Sequence, residues 1–264
     1  MAAFILLMVL SGCSANAHLA AVRARVLIVS DSVAGATLTQ DKNFTSTRRV
    51  IYVTVKAGSQ PSSPKVAGTV PTAIYTSYAT FEKDMAAGSL PTSVGAVMYD
   101  TEKWTQTPIV EQRDPRRYMA MFSRLASAHH LVPILAPGRD LALVPGASCV
   151  KRSGEILNQA FLRCGLVSAD VRAKVLVIQS QVNEFDTAGF QRFVAAAAHQ
   201  ARVANPSIAV VAELATAPLG HAASVPQLVN AAHSVNGMVE GFALSARPRD
   251  TELAANLLAS VTGN

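Results

Sequence analysis

At 264 residues, half of them apolar and 15% charged, the chain can bury one large core and does not have the composition of a disordered polymer. Its formal net charge is +6. The basic residues are scattered, with pairs at Arg48–Arg49, Arg116–Arg117 and Lys151–Arg152 and no aromatic-plus-basic motif. That pattern reads as a solvated surface, and no nucleic-acid partner is expected.

The chain opens with a short apolar run, Ala2–Leu10, too short to span a bilayer. It leads into Leu10-Ser11-Gly12-Cys13, which resembles a bacterial lipobox; no Lys or Arg precedes the run. On this reading Cys13 is the lipidated residue and residues 1–24 are signal and tether. The protein is then exported and anchored to the membrane of the cell envelope by lipid. Residues 25–264 are expected to form a single domain, with an irregular part at 25–71.

Within that domain Arg25–Asp31 is a β-branched strand ending in an acid, and Ser32–Thr47 is polar with no helical period. Arg48–Val55 alternates as a second strand. Lys56–Pro71, rich in Gly, Pro and Ser, reads as a long loop. From Thr72 strands and helices alternate. Thr72–Ser77 is a strand and Phe81–Ala87 a short helix. Val94–Asp100 is a strand, followed by a helix that starts at Asp114-Pro115 and runs to His129. Leu131–Ala136 is a strand, and Ser153 is expected to cap a helix holding Ile156, Ala160 and Phe161. Val175–Ser180 is a strand followed by a helix capped at Asp186 or Thr187. Ile208–Leu214 is a strand followed by a helix from Ser224. Met238–Ser245 is the last strand, and Asp250 caps a final helix.

These segments make six β-α units after two earlier strands. The strands are apolar on both faces, as helix-covered parallel sheets require. Eight of them predict a closed or nearly closed (β/α)8 barrel, with an open doubly wound sheet as the alternative. No Gly-rich phosphate loop follows any strand, and the histidines have no close ligand partners, so neither cofactor nor metal is expected. With Cys13 lipidated, Cys149 and Cys164 remain as an even pair, expected to bridge outside the cytoplasm; two reduced cysteines in a cytoplasmic protein are the alternative.

In a parallel barrel the C-terminal strand ends share one rim, where ligands bind. That rim would carry Tyr75, Asp100, Arg139, Asp140, Gln179, Gln181, Glu184 and Glu213, with Trp104 in the adjoining loop. Carboxylates, amides and an aromatic face are the groups a sugar site uses. Asp100 and Glu213 are the candidate catalytic pair. Tyr75, Trp104, Arg139, Asp140, Gln179, Gln181 and Glu184 are the candidate ligand-binding residues, and a glycan is the expected ligand.

YDTEKWTQTPIVEQRDP, LAPGRDL, AFLRCGL and the QSQ strand end resemble a family of uncharacterised secreted or lipid-anchored proteins of actinobacteria, from about Thr72 onward. That resemblance implies an exported α/β barrel and assigns no catalytic residue. The rim carboxylates also resemble those of barrel glycoside hydrolases. Asp100 would end the fourth strand and Glu213 lie on the seventh, the strands that carry the carboxylates in one large glycosidase clan. That clan has Asn-Glu on the fourth strand, where this chain has Tyr99-Asp100. A non-catalytic surface binding or scaffold lipoprotein on the same fold is the competing function.

Overall fold

The computed structural model describes residues 24–40, 49–60, 62, 68–168, 172–179 and 186–262. Cys13, Gln181 and Glu184 lie outside the described residues. The strands are β1 Val26–Ser30, β2 Val50–Lys56, β3 Thr69–Tyr75, β4 Ala96–Thr101, β5 Val132–Pro137, β6 Val175–Ile178, β7 Ala209–Ala215 and β8 Gly241–Ser245. All pair in parallel with their sequence neighbours, and β8 returns to β1, closing the barrel. The architecture is a (β/α)8 TIM barrel, which settles closure in favour of the barrel over the open sheet.

Period-two alternation sorts every strand into two cores. One parity fills the barrel: Ile28, Tyr52, Ala96, Met98, Ile134, Ala136, Val175, Val177, Val211 and Ala243. The other parity faces the helices, with Leu27, Ile51, Val97, Tyr99, Leu135, Leu176, Val210 and Phe242 in the shell. Phe122 stacks on Tyr99 with ring centroids 4.8 Å apart and meets Phe81 at 4.4 Å. Each such buried ring contributes about 1.5–3 kcal/mol. Gly241 sits where the last strand meets the first. A Cβ there would lie 1.7 Å from the Val26 carbonyl oxygen, so only glycine lets β8 close on β1.

The helices are α1 Asp31–Gln40, α2 Tyr78–Ala87, α3 Ile109–Arg113, α4 Pro115–Ala128, α5 Leu157–Arg163, α6 Thr187–Ala204, α7 Val225–Ser234 and α8 Thr251–Thr262. Two were not expected. α1 occupies a stretch read as irregular: its threonines and Gly35 blur the helical period, and tertiary packing supplies the stability instead. Val33, Ala34 and Thr37 are buried, and α1 packs on α8. α3 is a single short helix inside what was read as a loop.

Helix starts also differ from expectation. Asp114 precedes α4 but makes no side-chain cap, leaving Pro115 at the first position to set the backbone. α5 begins after Ile156, not at Ser153, and has no side-chain cap. Asp186 does cap α6, accepting from the Gly189 N–H at 3.0 Å, and Ser224 with Gln227 forms a capping box on α7. Asp250 ends a 3-10 turn before α8, where it accepts from Arg247 Nε at 2.5 Å and Thr216 Oγ1 at 2.8 Å.

Cys149 and Cys164 form a disulfide, with Cα atoms 5.5 Å apart. It ties the segment after β5 to the end of α5. Arg163 braces the same corner, pairing with Glu155 at 2.8 Å and donating to the Val150 carbonyl at 2.9 Å. Among the described residues no helix is long and apolar enough to cross a membrane.

Candidate functional site

The site is built at the end of β4. Asp100 shares the inward parity of Ala96 and Met98 and so points into the mouth of the barrel. Thr101 points outward, while its carbonyl accepts from the Gly138 N–H at 2.6 Å, locking β4 to the turn after β5. Glu102, one step beyond the strand, returns to the inner side. The loop that follows is pinned from within. Trp104 Nε1 donates to Thr107 Oγ1 at 2.7 Å, and Gln112 Nε2 donates to the carbonyls of Trp104 and Thr107, both at 2.6 Å.

These residues open onto a cavity of about 380 Å³ at the C-terminal mouth. Its floor is the top of the barrel core: Ile28, Ile74, Met98, Ala136, Val177 and Ala243. Its walls are Thr54, Asp100, Glu102, Trp104, Gln179, Glu213 and Ser245. Asp100 and Glu213, on strands that do not pair, line this one cavity. Gln179 stands between strands: its Nε2 donates to Asp100 Oδ1 and to the Ala136 carbonyl, both at 2.9 Å.

Burial pushes Asp100 up to about 6; the Gln179 hydrogen bond opposes the shift and the charge of Asp140 adds to it. Burial, together with the charges of Asp100 and Asp140 and against the Gln179 amide, pushes Glu102 up to about 7. The two carboxyls share one mouth, and the charge of Asp100 bears on Glu102.

Arg139 and Asp140 open the 3-10 turn Arg139–Leu143 behind this wall. Asp140 Oδ1 accepts from the Lys103 backbone N–H at 3.1 Å. Arg139 is 9% exposed, donates to Asn158 Oδ1 at 2.5 Å and lies 5.7 Å over the Phe193 ring. Burial lowers its guanidinium; the charges of Asp140 and Glu213 act against that. Arg139 and Asp140 therefore stand beside the cavity acids and line none of the cavity itself.

Tyr75 is the correction. It is 2% exposed, packs on Phe81 at 5.0 Å and donates its hydroxyl to Asp84 Oδ2 at 3.1 Å, on the helix side of the barrel. Position near a strand's end was the reason to expect it at the rim, but Ile74, one residue earlier, has the inward parity. Glu102 was missed because it lies past the strand, although it shares the parity of Asp100. Glu111, 2% exposed, was missed for lack of any local signal. It accepts from Ser77 Oγ at 3.0 Å, from the Tyr78 and Ala79 N–H groups at 2.7 and 3.2 Å, and from the Tyr99 hydroxyl at 2.5 Å. Among the described residues no group of three or more His, Cys, Asp or Glu side chains is placed to hold a metal ion.

No family model matches the chain, and no curated protein matches it. Similar solved structures include the carboxyl transferase domain of Rhizobium etli pyruvate carboxylase. With 3-hydroxypyruvate it is 8% identical at TM-score 0.43, and with oxalate 9% identical at 0.42; each comparison covers 91% of this chain and 46% of that one. A GH10 endoxylanase retrieved from a sugarcane soil metagenome is 11% identical at TM-score 0.36, covering 67% of this chain and 66% of that one. The chain thus spans less than half of the carboxyl transferase domain. The fold assignment rests on this chain's own strand pairing.

Proposed function

We propose that the protein is an exported, lipid-anchored envelope protein whose barrel mouth binds a glycan and hydrolyses it. The observation that carries this reading is one cavity faced by two acids raised by burial at the end of β4, Asp100 and Glu102, and by Glu213 on β7. Glycoside hydrolysis needs a protonated carboxyl to donate to the leaving oxygen, and an ionised one to attack the sugar or activate water. The β4 pair keeps a proton near neutral pH and supplies the acid. Glu213 supplies the second carboxylate across the mouth. Gln179 orients Asp100 and offers an amide to a hydroxyl, and Trp104 offers a ring to the apolar face of a sugar.

Export and anchoring are supported by the Leu-Ser-Gly-Cys sequence ending at Cys13 and by the Cys149–Cys164 bridge, a linkage that persists in oxidising compartments. Protein from the native host should carry lipid mass on Cys13, and Cys13→Ser should lose it; an unmodified Cys13 in the mature protein contradicts the anchor.

The function is tested by incubating the full chain with a panel of plain and chromogenic glycans and measuring released reducing ends. Wild type should turn over at least one of them. Glu213→Gln and Glu102→Gln should each lower turnover about a hundredfold or more while the circular dichroism stays native. Glycan binding without turnover would make the barrel a binding module. Neither binding nor turnover across the panel would sink the glycan reading.

A further inference from the structure

We propose that Asp140 is a positioning residue for Glu102: from the turn after β5 it holds the end of β4 in place and keeps Glu102 in its proton-donating form. This deepens the hydrolase reading and rests on it for the role of Glu102. It does not rest on it for the physical coupling.

The geometry is set by Gly138. Its φ of −69° is open to any residue, so conformation does not explain the glycine. Space does. A Cβ at Gly138 would lie 2.6 Å from Glu102 Cγ and 2.7 Å from Asp140 Oδ1. Both acids therefore press against the same empty point. Laid end to end, those distances place the Glu102 Cγ methylene no more than about 5.3 Å from Asp140 Oδ1, so the Glu102 carboxyl beyond it lies within about 8 Å, close enough for the charge of Asp140 to raise it. The same Oδ1 accepts the Lys103 N–H, and Gly138 N–H donates to the Thr101 carbonyl. The residues on both sides of Glu102 are thus held by the turn that carries Asp140.

Among the described residues, the charged groups acting on Glu102 are Asp100 from its own strand and Asp140 from the turn. The Gln179 amide on the β6 side opposes them. Arg139, next to Asp140, makes its hydrogen bond to Asn158 and lies over Phe193, and the charges of Asp140 and Glu213 both act on it. Asp140 is the acid supplied to Glu102 from another element. It makes no part of the cavity wall, so it acts through Glu102 and not on a ligand.

Asp140→Asn separates the two effects, since the amide oxygen still accepts from Lys103 while the charge is gone. Asp140→Ala removes both. The readouts are the carboxyl ¹³C titration of Glu102 and the hydrogen exchange of the Lys103 amide, in ligand-free protein. In Asp140→Asn the Glu102 midpoint should fall by about one pH unit, the effect of one close charge, with the Lys103 amide still protected. In Asp140→Ala the midpoint should fall as far and the amide should lose protection. An unchanged midpoint in Asp140→Asn overturns the proposal, and that variant carries the test alone if Asp140→Ala fails to fold. Because no glycan enters the measurement, absent turnover in wild type would reject the hydrolase reading and leave this coupling standing.

Discussion

Two sets of carboxylates occupy opposite faces of the same strands, and they are treated in opposite ways. Outside the barrel, Glu111 is sealed between β3, β4 and α2 and takes four donors: two hydroxyls and two backbone N–H groups at the start of α2. Inside the mouth, Asp100 and Glu102 have the Gln179 amide as donor, and the charge of Asp140 bears on both. Burial is common to both sets. The supply of donors differs, and it decides whether a buried acid is a structural anchor or a group held ready to exchange a proton.

Breaking the outer set should have the largest effect. Glu111→Ala takes the acceptor from the Ser77 and Tyr99 hydroxyls and from the Tyr78 and Ala79 N–H groups at the start of α2, leaving only the Ser77 cap on Thr80. Urea unfolding should register a loss of about 3–5 kcal/mol. Gly241→Ala attacks the barrel that separates the two faces, since its new methyl would strike the Val26 carbonyl. We expect a loss of about 3 kcal/mol or failure to fold, visible in thermal melts. Cys149→Ser releases the segment that runs on from the Asp140 turn. It should cost about 2–4 kcal/mol, less if that segment stays ordered, measured by denaturation against the oxidised wild type.

Glu102→Gln sharpens the comparison by changing the sign. Glu102 titrates higher in the folded chain than in the unfolded one. Its contribution is full below the ordinary carboxyl range and lost as the pH rises through about 7. Wild type should therefore lose stability between about pH 5 and pH 8, and Glu102→Gln should lose less. After allowance for solvent screening, the variant should be more stable than wild type by about 1 kcal/mol at pH 8 and equal to it near pH 4. Equal melting curves at both pH values would place Glu102 among ordinary surface acids.

The strands were readable because each is a short apolar run, several of them rich in β-branched residues, and their number pointed to the barrel. Parity then carried most of the site: Asp100, Gln179 and Glu213 each continue an inward series, Met98, Val177 and Val211. Tyr75 was misplaced where strand-end position was used without parity. Glu102 was overlooked because the strand was taken to stop at Asp100, although the alternation continues for one more inward residue. Glu111 and α1 had no readable local signal. The donors of Glu111 come from residues 12 to 34 positions away, and α1 is held by α8 from the far end of the chain. Pairings of that kind are made by the closed barrel and are not encoded in any local window.

The most direct test of the inner acids is the carboxyl ¹³C titration of wild type, with Asp100→Asn and Glu102→Gln used to assign the resonances. The pair should release its protons in two steps near pH 6 and pH 7; Asp100→Asn should remove the lower step and bring the Glu102 step down, and Glu102→Gln should remove the upper step. Two carboxyls that both titrate below about pH 5, in the range of solvated acids, would contradict it.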